Sequence, residues 1–391
     1  MPPGFEFFCR KRYIINKNTR ILFCIKEKMM KKSCLSVLLL FAALPLAALR
    51  CGDKAVELSS MKYLYGKPLQ LTQVAREGSL KILTFLHTRA QGSAETVAML
   101  TAFEGLHRGK LAQLLITPDP ETDAMTLLPP VRQGRMNYAV DSSRRITMQY
   151  MAGSLLYPKS FVIDHKGTII WCGETVDLGE MLKEYFDNRF DSRAAEKVCP
   201  MLDELQTLMR ESSERKMKQL TEKIFEISPA HPAALRMRLF ALENSNRIPE
   251  AWSLLQDRLN ARPDAARLYF TAIDFVSRYP FFRNDLRQNL QRFEANVKAP
   301  ESRCMMAWEL LQRFQYDLTA LEYADILPGK TAPRSPALRR LFFAVRARVA
   351  YLAGNIPQAI EFQKQVAPSP GMKDPMLEYF KGVEALRKKG L

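Results

Sequence analysis

Five prolines in the second half of the chain, Pro229, Pro263, Pro300, Pro333 and Pro368, fall 34, 37, 33 and 35 residues apart. A proline lacks the amide hydrogen that continues a helix, and its ring clashes with the preceding turn. Breaks at this interval leave room for two helices per block and little else. Past Cys199 the text between them has helical periodicity and no strand signal. Two blocks also carry related words at their midpoints. "SNRIPEAWSLL" (245–255) and "AGNIPQAIEFQ" (353–363) share a turn, Ile-Pro, an acidic or amide residue, then alanine. There two antiparallel helices would be joined, with Ala251 or Ala359 letting the second press against the first.

Helix pairs repeating about every 34 residues resemble tetratricopeptide (TPR) repeats. The middle blocks share less of this text, so residues 200–391 are read as an all-α, TPR-like helical-repeat domain. Stacked helix pairs make a concave groove, which implies a protein or peptide partner. Trp252, Phe270, Phe275, Met305, Met306, Trp308, Phe342 and Phe343 stand at helical spacing and are expected to form core between the helices.

Residues 60–192 read differently. "SLKILTFLH" (79–87) and "KLAQLLITPD" (110–119) are short apolar runs of buried-strand type, separated by a helical pattern over 93–107. A less regular stretch containing Pro129 and Pro130 follows, then a short strand at 136–141 and a short helix at 146–151. "KSFVIDHKGTIIWCG" (159–173) is two strands around a tight hairpin in which Gly167 supplies positive φ and Asp164 forms the turn. An amphipathic helix over 177–190 closes a β-α-β-α-β-β-α unit.

That unit resembles the thioredoxin fold, and more narrowly the TlpA-like redoxins of the bacterial cell envelope. Those proteins carry Phe-Trp-Ala-Thr-Trp-Cys-x-x-Cys where a strand meets a helix. Here Phe85-Leu86-His87-Thr88-Arg89-Ala90-Gln91-Gly92-Ser93 keeps the Phe and the Thr, while Ala90 and Ser93 replace both cysteines. The family's loop proline, cis in its members, matches Pro158, and "YPKSFVIDHKG" also supplies the matching Asp164 and Gly167. The resemblance covers about a third of the chain. It implies an α/β domain with a central mixed sheet and a redox site whose reactive atoms are gone. A CxxC pair works because the helix N-terminus lowers the first thiol's pKa and the second thiol resolves the mixed disulfide. Neither alanine nor serine can do this. Ser93 is expected to satisfy open helix N–H groups, and His87 to be packed or solvated beside the vacant site. Pro158 leaves a backbone able to pair with an extended peptide.

The remaining features concern compartment. The formal charge of +17 is concentrated at the start, where residues 1–50 hold ten Lys/Arg against two Asp/Glu. The other +9 is spread along the chain with no basic stripe interleaved with aromatics, which argues against nucleic acid. "MMKKSCLSVLLLFAALPLAALRC" (29–51) has a basic flank, an apolar stretch of 15 residues and small residues after it. That is the build of a secretory signal, too short for a bilayer span. Met29 or Met30 is the natural start, with 1–28 an upstream extension. Cys51 follows as a lipoprotein anchor would, although Arg50 stands where such sites resemble a small residue; cleavage near Ala47 or Ala48 is the alternative. The protein is therefore expected in the periplasm or cell envelope.

Seven cysteines, Cys9, Cys24, Cys34, Cys51, Cys172, Cys199 and Cys304, show no CxxC and no metal-ligand spacing, so no metal or cofactor is expected. A Cys172–Cys199 disulfide remains open, with buried free thiols as the plainer reading. Cys172, beside Trp171 on the last strand, is expected at the sheet edge, away from Pro158. Two functions follow: an exported non-catalytic adaptor, or a thiol–disulfide oxidoreductase working through Cys172 or Cys199.

Overall fold

Residues 80–85, "LKILTF", are buried at all six positions and form strand β2 (Leu80–Phe85). A strand covered on both faces reads as a continuous apolar run, and this one lies inside a sheet. Its one charged residue, Lys81, is buried with its ammonium donating to the carbonyls of Leu71 at 3.0 Å and Gln73 at 2.7 Å. A computed structural model describes residues 49–391 except 60, 91, 108, 152–156, 334–335, 367–373 and 390–391. The leader, Gln91 and Pro368 lie outside the described residues, as do Cys9, Cys24 and Cys34.

In chain order the first region contains β1 (Lys62–Tyr65), β2, α1 (Ser93–Leu106), β3 (Leu111–Thr117), α2 (Glu121–Ala124), α3 (Leu128–Gln133), β4 (Asn137–Val140), α4 (Arg145–Met151), β5 (Lys159–Ile163), β6 (Ile169–Glu174) and α5 (Leu178–Phe186). The six strands form one mixed sheet in the order β1-β4-β3-β2-β5-β6. β2 runs parallel to β3 and antiparallel to β5. One face packs Leu80, Ile82, Val162 and Ile170 against α1, α3 and α5. The other packs Leu83, Phe85, Ile116 and Phe161 against α4 and the segment containing Cys51, Ala55 and Leu71. Burying each such side chain contributes about 1.5–3 kcal/mol, so two covered faces supply most of the domain's cohesion.

The structure differs from the sequence reading in two places. β1 has no counterpart there, because "KYLY" is a four-residue edge strand with little burial to pattern it. The irregular 120–135 stretch is largely helical: Pro129 and Pro130 occupy the first turn of α3, where a missing N–H costs nothing.

The second region is all helical: α6 (Ser192–Arg210), α7 (Glu214–Ile227), α8 (Pro232–Asn244), α9 (Ile248–Ala261), α10 (Ala266–Arg278), α11 (Leu286–Asn296), α12 (Pro300–Arg313), α13 (Leu318–Ile326), α14 (Pro336–Leu352), α15 (Ile356–Lys364) and α16 (Pro375–Lys388). Pro229, Pro263 and Pro333 lie between helix pairs, and Pro300 opens α12. The Ile-Pro words open α9 and α15, where Ala251 and Ala359 are fully buried. Trp252, Phe275, Met306 and Phe342 are core as expected, whereas Met305, about 100° round the helix from Met306, is exposed. No described helix is long and apolar enough to cross a membrane.

α6 runs across the boundary expected between residues 192 and 200, with Pro200 inside it. Asp191 caps it, its carboxylate accepting from the amides of Arg193 at 2.9 Å and Ala194 at 3.1 Å. The helix packs against β6 as well as α7 and α8, so it covers the sheet edge and begins the helical array. Asp177 adds a second joint. Its buried carboxylate takes a fork from Arg236 of α8 at 2.8 and 2.9 Å and a further bond from Arg267 of α10. Arg236 also reaches Glu174 at 2.9 Å.

Candidate functional site

Parallel pairing sets what lies beside the end of β2. Phe85 is opposite Ile116, so the residues three further on, Thr88 and Asp119, become neighbours. The Asp119 carboxylate accepts from the Thr88 amide at 2.6 Å and the Thr88 hydroxyl at 2.8 Å, and His87 Nδ1 lies 2.7 Å from its other oxygen. Burial alone would raise the Asp119 pKa, but these hydrogen bonds outweigh it and hold the carboxyl below its ordinary value. The His87 ring packs on Tyr157, with centroids 4.2 Å apart. Beneath, Phe85, Tyr150 and Phe161 pack together at 5.1–5.8 Å, and the Tyr150 hydroxyl pins the backbone of Val56.

Tyr157–Pro158 is a cis peptide, as the resemblance implies. The strand order, with β2 leading from inside the sheet into α1, sets the architecture of the first region.

This is a thioredoxin-like fold.

Scans of known families and of curated proteins returned no match. Similar solved structures include an uncharacterized thioredoxin-like protein from Porphyromonas gingivalis, 16% identical over 36% of this chain and 92% of that one, with a TM-score of 0.28. A thiol-disulfide oxidoreductase from Bacteroides fragilis is 20% identical over 30% of this chain and 90% of its own, at 0.25. StoA from Bacillus subtilis is 18% identical over 34% and 98%, at 0.26.

At the thioredoxin-like junction, Gly92 takes φ of +89° and is the N-cap of α1, with no side chain capping the helix. Ser93 is buried, but its hydroxyl donates to the His87 carbonyl at 2.7 Å rather than serving a helix amide. The expectation that it satisfies open N–H groups is thus corrected: Ser93 sits one position inside the helix, past the place from which a side chain caps. His87 and Asp119 form a base-and-orienter pair without a nucleophile, since the Ser93 hydroxyl donates to main chain and that of Thr88 to Asp119 itself. Pro158 has no N–H, and its carbonyl accepts from the Thr175 amide at 3.1 Å. An extended peptide would have to pair with the Tyr157 backbone instead.

The sulfur lies elsewhere. Cys172 is on edge strand β6, as expected, opposite Phe161, three residues along β5 from Pro158 and so about 10 Å away at 3.3 Å per residue. The edge is covered, however, and Cys172 is buried beside two other thiols. Its sulfur is 3.1 Å from that of Cys199 on α6 and 3.7 Å from that of Cys51. The residues after Cys51 are tied to the start of β6 through Gly52 N to Ile169 O at 2.8 Å and Ala55 N to Gly167 O at 2.9 Å. Cys51, the candidate lipid anchor, is thereby held with its side chain in the core. The cluster favours a single thiolate on Cys199, because thiol donors on Cys172 and Cys51 lower its pKa, while those same contacts raise that of Cys51. Sequence spacing could not announce a group drawn from positions so far apart. Cys304 is buried in the helical array, where burial pushes its pKa up to about 11.

Proposed function

We propose that this protein is an exported, non-catalytic adaptor in which a thioredoxin-like domain is joined to a TPR-like interaction array. The carrying observation is the sulfur-free junction: Ala90 and Ser93 stand where an exchange pair would be, and the Ser93 hydroxyl is tied to the His87 carbonyl. A helix N-terminus without a thiol has no thiolate to stabilise. The stacked helices would present a groove to a protein or peptide partner. The leader pattern supports a place in the periplasm or cell envelope, with membrane attachment through the N-terminus as one form of it. No nucleic acid is involved in this reading.

An insulin-reduction assay tests it. The expected result is turnover at the uncatalysed background. Turnover above background that survives Cys172→Ser, Cys199→Ser and Cys304→Ser together would overturn it. The alternative, an oxidoreductase working through Cys172 or Cys199, predicts a thiol that iodoacetamide modifies rapidly in the folded protein. Burial of both, Cys172 beneath α6 and Cys199 on the packed face of that helix, weighs against that.

A further inference from the structure

Cys51, Cys172 and Cys199 come from three separate stretches of chain, yet their sulfurs all lie within 4.8 Å of one another. A group of this kind can hold a metal, form a disulfide, or remain as packed thiols, and two magnitudes separate these uses. A tetrahedral zinc site with bonds of about 2.3 Å sets its sulfurs about 3.8 Å apart and, when structural, takes four ligands. Here the Cys172–Cys199 separation is 3.1 Å, and the group offers three thiols with no histidine or carboxylate among the described residues. A disulfide needs about 2.05 Å between two sulfurs and no further ligand. Of the two contacts that Cys172 makes, the one with Cys199 at 3.1 Å is shorter than the one with Cys51 at 3.7 Å, which singles out Cys172 and Cys199 as the pair.

Electrostatics favours the same pair. The Lys159 ammonium lies over the Phe161 ring, 5.4 Å from its centroid, and Phe161 is the cross-strand partner of Cys172. That positive charge favours the thiolate on Cys199, whose pKa is lowered, and offsets part of the rise that contact with Cys199 and burial impose on Cys172. The Cys51 sulfur lies at the longer distance of 3.7 Å from that of Cys172.

We propose that Cys172 and Cys199 form a disulfide that bolts the covered edge of the sheet to the first helix of the array, with Cys51 left beside it as a thiol. The oxidant is a small-molecule disulfide such as oxidised glutathione. The Cys199 thiolate attacks it, forming a mixed disulfide and expelling one small thiolate. The Cys172 sulfur then attacks Cys199, forming the protein disulfide and expelling the second. The two cysteines lose two electrons, the oxidant gains them, and the two cysteine protons end on the two released thiols. Burial of the cluster places this step during folding, before α6 closes over β6. The bond does not depend on the adaptor reading, since a cross-link here is compatible with either proposed function.

The test uses the full chain, reduced and unfolded in guanidinium and then refolded into a glutathione redox buffer. The fraction that recovers native helical circular dichroism is denatured with N-ethylmaleimide, digested without reductant and mapped by mass spectrometry. The expected result is a peptide pair containing Cys172 and Cys199, two hydrogens lighter than the sum, with Cys51 carrying the label. Cys51→Ser should keep the linked pair and Cys172→Ser should lose it. Full labelling of Cys172 and Cys199, a Cys51–Cys172 link in their place, or stoichiometric zinc with all three sulfurs labelled after its removal would each overturn the proposal. Should Cys172→Ser fail to refold, the wild-type map and the Cys51→Ser map decide.

Discussion

Two places along strands β5 and β6 contrast sharply. At the Pro158 end, the backbone of a redox site is present, with a cis proline and a glycine-capped helix, but no sulfur occupies the attacking positions. Near the middle of β6, three largely buried sulfurs converge. One place has geometry without reagent, and the other has reagent without access. The difference teaches that the thioredoxin-like scaffold does not by itself imply exchange chemistry; exposure and a thiol at the helix N-terminus must coincide.

Restoring that coincidence should have the largest effect. Ala90→Cys with Ser93→Cys is expected to raise insulin reduction at least tenfold above background, because the helix N-terminus and Pro158 are already in place. A double variant that folds but stays at background would show that the junction has lost more than its thiols. Next in size is the joint between the regions. Asp177→Asn leaves Arg267 without its buried counter-charge and Arg236 with Glu174 alone; because both guanidiniums are partly exposed, the loss should fall below the roughly 3–5 kcal/mol of a fully buried pair, at about 2–3 kcal/mol. Chemical unfolding should show this loss, and an unchanged midpoint would mean the joint is not what couples the two regions.

At the vacant junction, Asp119→Ala removes acceptors from His87 and from both Thr88 donors. Hydrogen bonds to a charged group contribute about 1.5–3 kcal/mol each, and water replacing the carboxylate at this partly exposed site should hold the net loss to about 1.5–3 kcal/mol, measurable by urea titration. The smallest effect is a pH dependence. His231, the N-cap of α8, accepts from the Ala234 amide at 3.5 Å, and burial lowers its pKa from 6.5 to about 4. Its folded form stays neutral where the unfolded chain takes up a proton. Its stabilisation is therefore present in full above pH 6.5 and declines as pH falls through that value toward 4, by an amount on the order of 1–3 kcal/mol. His231→Asn keeps an N-cap acceptor and should flatten the stability profile over that window; an unaltered slope would assign the pH response elsewhere.

Much of the scaffold was legible because short, dense apolar runs and a glycine hairpin are local signals. β2, β3, β5, β6 and α1 fall where the apolar pattern puts them, and the proline interval marked the helix pairs. Other features depended on packing between distant segments. Nothing in "KYLY" distinguishes an edge strand from a loop until β4 supplies its hydrogen bonds. The stretch holding Pro129 and Pro130 reads as irregular, yet the two prolines open a helix. At the junction, the missing cysteines were visible, but the turning of Ser93 to a carbonyl and the reach of Asp119 to His87 follow from register across strands. The thiol group was the least legible. Cys51 and Cys172 are brought together only when the post-leader segment hydrogen-bonds along β6, and Cys199 only when α6 continues through Pro200.

α6 has a mechanical consequence. As one continuous rod it is both the cover of the sheet's last strand and the opening member of the helical stack, so no slack tether separates the two bodies. On the proposed adaptor reading, cargo seated on the stack would be held in a fixed relation to the thioredoxin-like region, like work in a jig. Local concentration there would be governed by fit rather than by the reach of a floppy linker.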